Sequence, residues 1–163
     1  MIDVETVHDF LAQKRIAVVG ASDDPRKFGW TVYDELRSHG YDVVAVNRNA
    51  TTVGGDACYP DIASVPGPVD GVIVMVPAPA SEDVVDECVR AGVPRIWLFK
   101  GLGGPGALSA AAVERAQAGG SVVVAGACPL MFLEPVGWFH RLHRAARKVK
   151  GTFGPARPRS QSA

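Results

Sequence analysis

The sequence lacks the features of membrane, secreted and disulfide-linked proteins. Its apolar runs, such as the one over 72–80, are far too short to span a bilayer. The first residues do not combine a basic region with an apolar core, so we expect no secretory signal. The three cysteines, Cys58, Cys88 and Cys128, are widely spaced and form no CxxC pair, which argues against a disulfide framework or a zinc site. We therefore expect a cytoplasmic protein with reduced thiols.

Acidic residues are absent from positions 135–163, which carry 7 basic residues, whereas positions 1–134 carry 10 basic and 17 acidic ones, a net charge of −7. Apolar residues at helical spacing predict a basic C-terminal helix over 135–150, followed by a disordered tail over 151–163. His140 and His143 lie in a basic repeat that favours a solvated face over a metal site. The helix could contact nucleic acid or an anionic membrane, but its charges can be neutralised by the acidic remainder or across a homodimer. We therefore expect no nucleic-acid partner.

Short runs rich in β-branched residues alternate with helical segments along positions 1–134. The predicted strands cover 16–19, 43–46, 72–76, 95–99 and 122–125, and the predicted helices cover 4–11, 30–39, 80–91 and 105–118. Gly40 and Gly92 stand where helix C-caps are expected, and Ser81 is placed to cap the third helix. This alternation requires right-handed crossovers and a parallel sheet covered on both faces. The sequence predicts an α/β, Rossmann-like three-layer domain over 1–134 with a mostly parallel five-stranded sheet, plus the C-terminal helix.

The loop after the first strand has the position of a phosphate-binding loop but lacks the usual dinucleotide fingerprint. That fingerprint is Gly-x-Gly-x-x-Gly, and this chain has Gly20-Ala21-Ser22 with no second glycine. A serine hydroxyl can still contact phosphate, and Arg26 and Lys27 add positive charge. The loop therefore predicts a phosphorylated ligand. The alternative is an ordinary strand-to-helix turn with surface charges.

The loop after the second strand lacks the carboxylate that NAD enzymes place there for the ribose hydroxyls. It reads Asn47-Arg48-Asn49, and its cation suits a ribose that carries a phosphate. NADP and coenzyme A both have such a ribose, so both stay open as ligands. The alternative for the two asparagines is turn formation alone.

The segment after the third strand is Val76-Pro77-Ala78-Pro79. Two prolines fix an extended backbone, which predicts a rigid apolar shelf against which a flat adenine ring can lie. The motif is weak alone and gains meaning beside the other two loops, because ligands of parallel sheets bind outside the carboxyl ends of the strands.

An ordered set of motifs extends over roughly residues 10–134: Gly20-Ala-Ser22, Gly40-Tyr-Asp-Val-Val-Ala-Val-Asn47, Cys58-Tyr-Pro60, Val69-Asp70, and Trp97-Leu98 with Gly101. This set resembles the CoA-binding domain family of small bacterial and archaeal proteins. That family is similar to the CoA-binding domain of the succinyl-CoA synthetase α subunit.

The resemblance implies a Rossmann-like fold that binds coenzyme A. It places the first loop at the pyrophosphate, the second near the ribose phosphate, and Val76-Pro77 near the adenine. Two positions depart from the family pattern: Arg48 stands where the family has proline, and Phe99 where it has glutamine. The expected cofactor-binding residues are Gly20, Ala21, Ser22, Arg26, Lys27, Phe28, Asn47, Arg48, Asn49, Val76, Pro77 and Pro79.

No residue is predicted to be catalytic. In the synthetases a phosphorylated histidine on a further domain carries the reaction, and no histidine here lies in a comparable glycine-rich loop. The resemblance therefore implies a protein that binds, senses or sequesters coenzyme A or an acyl-CoA without the reaction. Cys128 follows the fifth predicted strand, where its thiol could meet that of coenzyme A. The alternative is a small buried residue at a strand end.

Two other functions compete with this one. An NADP-dependent oxidoreductase of reduced size would account for Arg48, but the chain has no evident Tyr-Lys catalytic pair or substrate domain. An interaction module would act through the basic C-terminal helix, with nucleotide binding vestigial.

Overall fold

A seven-stranded sheet forms the centre of the computed structural model, which describes residues 2–134. The sheet order is β3-β4-β2-β1-β5-β6-β7, and every neighbouring pair is parallel except β3 and β4. The strands are β1 Arg15–Val19, β2 Asp42–Val46, β3 Thr52–Val53, β4 Asp56–Tyr59, β5 Gly71–Val74, β6 Arg95–Phe99 and β7 Val122–Ala127. The helices are α1 Val4–Leu11, α2 Phe28–Ser38, α3 Ala78–Arg90 and α4 Ala110–Ala118, followed by a 3-10 turn at Pro129–Met131.

This architecture confirms the predicted α/β, Rossmann-like class with a mostly parallel sheet. The predicted number of five strands is wrong, because the segment 52–59 folds into an additional hairpin at the edge of the sheet. Gly54 and Gly55 form its turn with φ angles of 59° and 82°, which glycine adopts at little cost. The β3 strand has two residues, too few to produce an alternating pattern in the sequence.

Two hydrophobic layers cover the sheet because side chains along each strand alternate between its faces. From β1, Ala17 and Val19 pack on the α3–α4 side, while Ile16 and Val18 pack on the α1–α2 side. Trp97 on β6 is fully buried on the α1–α2 side, where its ring meets Phe10 edge-on at a centroid distance of 5.2 Å. Its Nε1 donates to the carbonyl of Ala127 at 2.9 Å, so the buried indole N–H is satisfied.

The helix ends agree with the sequence prediction in part. Gly40 and Gly92 follow α2 and α3 with φ angles of 88° and 70°, as expected for glycines that end helices. The predicted cap at Ser81 is wrong: α3 begins at Ala78 after Pro77, and the buried Ser81 hydroxyl donates to the Ala78 carbonyl at 2.7 Å. Pro79 is therefore helical, because proline is tolerated in a first turn where its missing N–H has no partner to lose.

The fourth helix, unlike the third, begins later than predicted, at Ala110 after the cap Ser109. Gly106 interrupts the preceding segment with a φ of 59°. No helix within residues 2–134 is long and apolar enough to cross a membrane. The predicted basic helix over 135–150 and the tail over 151–163 lie outside the described residues.

The sheet has its switch point at β1. The chain passes from β1 to β2 on one side, and returns to β5 on the other. The connections on the two sides of β1 therefore run in opposite directions, which opens a crevice at the carboxyl ends of these strands.

Candidate functional site

A cleft of about 420 Å³ lies at the carboxyl ends of β1, β2 and β5. One wall follows β2 and β4, the floor follows β1, and the other wall follows β5 and continues along α3. The lining residues are Val19, Gly20, Val46, Asn47, Arg48, Asn49, Pro60, Asp61, Met75, Val76, Pro77, Ala80, Asp83, Val84 and Glu87.

The structure brings together half of the twelve predicted binding residues in this cleft. Those that line it are Gly20, Asn47, Arg48, Asn49, Val76 and Pro77. The other six lie beyond the lining. Four of these are on the loop that leads from β1 into α2, Phe28 is the first residue of α2, and Pro79 is in the first turn of α3: Ala21, Ser22, Arg26, Lys27, Phe28 and Pro79.

Asn47 joins the loop after β2 to the loop after β1. Its Nδ2 donates to the carbonyl of Ala21 at 2.8 Å, and its Oδ1 accepts from the backbone N–H of Asn49 at 2.9 Å. The second bond closes a side-chain turn of the kind expected for asparagine. Asn47 thus uses its amide to fix the backbone around Arg48, whose side chain is exposed at the cleft.

The positive charge of the first loop is partly neutralised within the loop. Arg26 donates to both carboxylate oxygens of Asp24, at 3.0 and 2.9 Å. These hydrogen bonds hold the pKa of the Asp24 carboxyl below its usual value. Ser22 is also engaged, because its Oγ accepts from the backbone N–H of Asp24 at 3.0 Å.

The same loop is attached to the β3–β4 hairpin. Asp23 Oδ1 accepts from the backbone N–H of Gly54 at 2.6 Å. The hairpin is also fixed to α2, since the buried Tyr33 hydroxyl donates to Asp56 at 2.8 Å and Arg37 pairs with Asp56 at 3.2 Å. The hairpin that the sequence did not reveal therefore supports one side of the site.

Gly29 is a structurally essential residue that the sequence reasoning did not identify. A Cβ at this position would overlap the carbonyl oxygen of Gly20, so only glycine lets the start of α2 approach the end of β1 this closely. In the usual fingerprint the third glycine serves this helix–strand contact. Here that glycine is displaced to Gly29 at the far end of a longer loop, and its location directly before the predicted helix over 30–39 was the available signal.

The α3 wall was also missed. Ala80, Asp83, Val84 and Glu87 line the cleft, and their spacing of three, four and seven residues places them on one helical stripe. That periodicity is present in the sequence, but which stripe faces the cleft depends on where α3 begins.

Two aromatic rings lie beside the loop from β1, toward β6. Phe28 is 57% exposed, and its ring centroid is 5.9 Å from that of Phe99. Gly101 passes close to the Phe99 ring and opens a glycine-rich loop over 101–106. This region adds an apolar surface at the same edge of the sheet.

Cys128 does not line the cleft. It directly follows β7, is half-buried, and packs against the α1–α2 core. Among residues 2–134 no group of histidine, cysteine and acidic side chains is arranged to hold a metal ion.

Comparison with known proteins places this geometry in a family. The CoA binding domain family matches residues 14–134. The alpha subunit of ADP-forming acetate-CoA ligase II from Pyrococcus furiosus is 34% identical over 91 residues, which are 55% of this chain and 20% of that subunit. The chain therefore corresponds to a small part of that relative.

Solved structures give the same picture. A conserved hypothetical protein from Pyrococcus furiosus superimposes with a TM-score of 0.68 at 30% identity, covering 74% of this chain and 99% of that one. The apo form of the dinucleotide-forming acetyl-coenzyme A synthetase 1 from Ca. Korarchaeum cryptofilum superimposes with a TM-score of 0.60 at 31% identity, covering 69% of this chain and 26% of that one. The fold thus occurs both as a small protein and as one part of a larger enzyme.

Proposed function

The chain belongs to the CoA binding domain family, and on that premise we propose that it binds coenzyme A or an acyl-CoA in the cleft at the carboxyl ends of β1, β2 and β5. The observation that carries this proposal is the position of Arg48. The Asn47 turn holds its backbone at the cleft directly after β2, where a nucleotide presents its ribose. A guanidinium there pairs with a phosphate on the ribose.

The pyrophosphate is assigned to the junction of Gly20 with the start of α2. The cap of this helix, Lys27, is extended and makes no side-chain hydrogen bond to the first turn. Backbone N–H groups at a helix start favour anions, and Lys27 adds a full charge. Ser22 and Arg26 flank this junction, and Arg26 would exchange or share its Asp24 contact on binding phosphate.

The adenine is assigned to the wall formed by β5 and α3. Val76, Pro77, Ala80 and Val84 give that wall an apolar surface, and flat rings bind well to such surfaces. Pro79 serves this wall indirectly by fixing the first turn of α3.

The pantetheine arm is assigned to the aromatic surface of Phe28 and Phe99. Phe99 ends β6, which lies between β5 and β7 in the sheet. An arm bound along these two rings would therefore run toward β7 and would bring the thiol end of the ligand toward Cys128. We assign no catalytic residue, and we propose that binding itself senses or sequesters the cofactor.

Calorimetric titration with coenzyme A, 3′-dephospho-coenzyme A, NADP and NAD tests this function. We expect coenzyme A to bind, and its dephosphorylated form to bind about tenfold more weakly because a charged hydrogen bond to phosphate is lost. Binding of NADP without coenzyme A would instead support the oxidoreductase, and binding of none of the four would overturn the proposal.

A further inference from the structure

The large apolar side chains that residues 2–134 expose to solvent fall into two groups. One group belongs to the start of the chain, to α1 and to the first residue of β7: Ile2, Val4 and Val122. The other group lies at the carboxyl edge of the sheet, at the start of α2, on the loop after β6 and in the 3-10 turn after β7: Phe28, Leu102 and Met131. Leu102 is fully exposed and Met131 is 76% exposed. Exposed apolar side chains that gather at one place indicate a surface that a ligand or a partner covers.

Contacts around Phe99 bring the segments of the second group together. The Phe28 ring meets the Phe99 ring, and a Cβ at Gly101, the residue before Leu102, would lie 3.1 Å from Phe99 Cζ. Phe99 is paired in register with Ala127 of β7, and the 3-10 turn that ends at Met131 contacts α2. We call Phe28, Phe99, Leu102 and Met131 the apolar end surface.

The loops that carry this surface contain no charged residue. Positions 101–113 and 121–133 lack aspartate, glutamate, lysine and arginine. The charged side chain beside the surface is that of Lys100, whose Cδ is 3.9 Å from the Cβ position of Gly126. The cleft, in contrast, is lined by Arg48, Asp83 and Glu87. The end surface therefore suits an uncharged, apolar group, and the cleft suits the ionic part of a ligand.

The position of the end surface fits the far end of the proposed ligand. The cleft lies at β1, β2 and β5, and β6 and β7 follow next in the sheet. A pantetheine arm that leaves the cleft along Phe28 and Phe99 ends beside Leu102 and Met131. The group that follows the arm in an acyl-CoA is the acyl chain. Three exposed side chains are also few for a stable protein interface, which buries about 800 Å² on each partner.

We propose that the apolar end surface binds the acyl chain of an acyl-CoA, and that the protein prefers thioesters of apolar acids longer than acetate to free coenzyme A. This inference rests on the proposed function and names the form of its ligand. Each methylene that leaves water on binding raises the affinity by up to about fourfold. The glycine-rich loop over 101–106 gives Leu102 the backbone freedom to close on such a chain.

Calorimetric titration with coenzyme A, acetyl-CoA, octanoyl-CoA and succinyl-CoA tests this proposal. Octanoyl-CoA should bind at least about tenfold more tightly than acetyl-CoA, because burial of only two of its additional methylenes suffices for that ratio. Succinyl-CoA should bind no more tightly than acetyl-CoA, since its carboxylate has to stay hydrated. Tighter binding of succinyl-CoA than of octanoyl-CoA would assign the acyl end to Lys100 and overturn the inference.

The double variant Leu102→Ala, Met131→Ala should lose most of the preference for octanoyl-CoA while its affinity for free coenzyme A and its melting temperature stay unchanged. The matched control is Ile2→Ala, Val4→Ala, which removes two exposed apolar side chains of the other group and should keep the preference. An equal preference in the two variants would overturn the inference.

Two further outcomes separate this inference from the proposed function. Binding of coenzyme A with no gain from the octanoyl chain would overturn the inference alone, whereas binding of none of the four compounds would overturn both. Sedimentation of the wild type as a dimer and of the Leu102→Ala, Met131→Ala variant as a monomer would assign the end surface to a second copy of the chain, and would also overturn the inference.

Discussion

The two edges of the sheet differ in how their charged side chains are used. At the amino ends of the strands, Arg15 pairs with Asp42 at 3.1 Å and Arg95 pairs with Asp9 at 2.6 Å. Asp70 accepts there from the backbone N–H groups of Arg15 and Lys14 at 2.9 and 3.2 Å. The cleft at the carboxyl ends instead holds charged side chains without such partners in the described part of the chain: Arg48, Asp83 and Glu87.

Charged side chains that stabilise the fold thus lie at one edge of the sheet, and charged side chains that are available to a ligand lie at the other. Paired charges at the amino edge fix where strands and helices begin. The unpaired charges of both signs at the carboxyl edge make no contact that fixes the described part of the fold, and under the proposed function they act on the ligand. Substitutions at the amino edge should therefore change the stability of the fold, and substitutions at the carboxyl edge should change the affinity for the ligand.

A substitution of Gly29 should have the largest effect, on both stability and ligand binding. Gly29 lies at the carboxyl edge and yet supports the fold, so it is an exception to the difference between the two edges. Gly29→Ala forces its Cβ into the Gly20 carbonyl oxygen, so we expect a loss of at least about 2 kcal/mol in unfolding free energy together with loss of ligand binding. Urea denaturation measures the first effect. Gly104→Ala is the control, since that position is open and its φ is not left-handed. Similar stabilities for the two variants would contradict the close helix–strand contact.

A substitution of Arg48 should have the second largest effect, and it should change ligand affinity without changing stability. Arg48→Gln removes an exposed cation from the cleft, and we expect about a tenfold loss in affinity for coenzyme A with an unchanged melting temperature. The loss should be much smaller for 3′-dephospho-coenzyme A. Arg90→Gln removes another exposed cation, at the last residue of α3 and outside the cleft lining, and should leave both affinities unchanged. Equal losses for the two ligands would place Arg48 away from the ribose phosphate.

A substitution of Asn47 should change both the unfolding free energy and the affinity for coenzyme A. Asn47→Ala removes the hydrogen bonds to Ala21 and Asn49, so we expect a loss of about 1 kcal/mol in unfolding free energy and a weaker affinity for coenzyme A. Urea denaturation and calorimetry on the same preparation test this. A destabilised variant with full affinity would show that the turn does not position Arg48.

Of these substitutions, that of Asp70 should have the smallest effect at neutral pH. It should change the pH dependence of the melting temperature in acid. Donation from the Arg15 backbone N–H lowers the pKa of its carboxyl below the ordinary 3.8. A lowered folded-state pKa contributes stability that is present above pH 3.8 and is lost as the pH falls through the lower folded value. Asp70→Asn should therefore reduce the difference between melting temperatures at pH 7 and pH 3. An unchanged difference would mean that the amino-edge contact does not contribute to acid sensitivity.

Much of the fold follows from sequence patterns that are local. Buried parallel strands produce β-branched runs such as 16–19, and glycines such as Gly40 mark helix ends by their positive φ. The β3–β4 hairpin escapes this reasoning because its pairing is set by contacts of Asp56 with Tyr33 and Arg37, which lie far away in sequence. Local pattern cannot report such contacts.

The site was predictable to the extent that it depends on strand ends. Positions 47–49 and 76–77 follow strands, and they line the cleft at the carboxyl ends of those strands; their contact with a cofactor stays a prediction. Arg26 was expected to add positive charge to the loop, but it is paired with Asp24, which lies two residues away. The orientation of Asp83 and Glu87 depends on the start of α3, and Pro79 made that start look like extended chain.

The most direct test of the central claim is a titration of ¹⁵N-labelled protein with coenzyme A, followed by amide chemical shifts. The account predicts that shifts change at positions 20–29, 47–49 and 76–87, around the carboxyl ends of β1, β2 and β5. Amides at positions 14, 15, 42 and 70, at the amino edge, should stay constant. Changes confined to the amino edge, or no changes at saturating coenzyme A, would contradict the account.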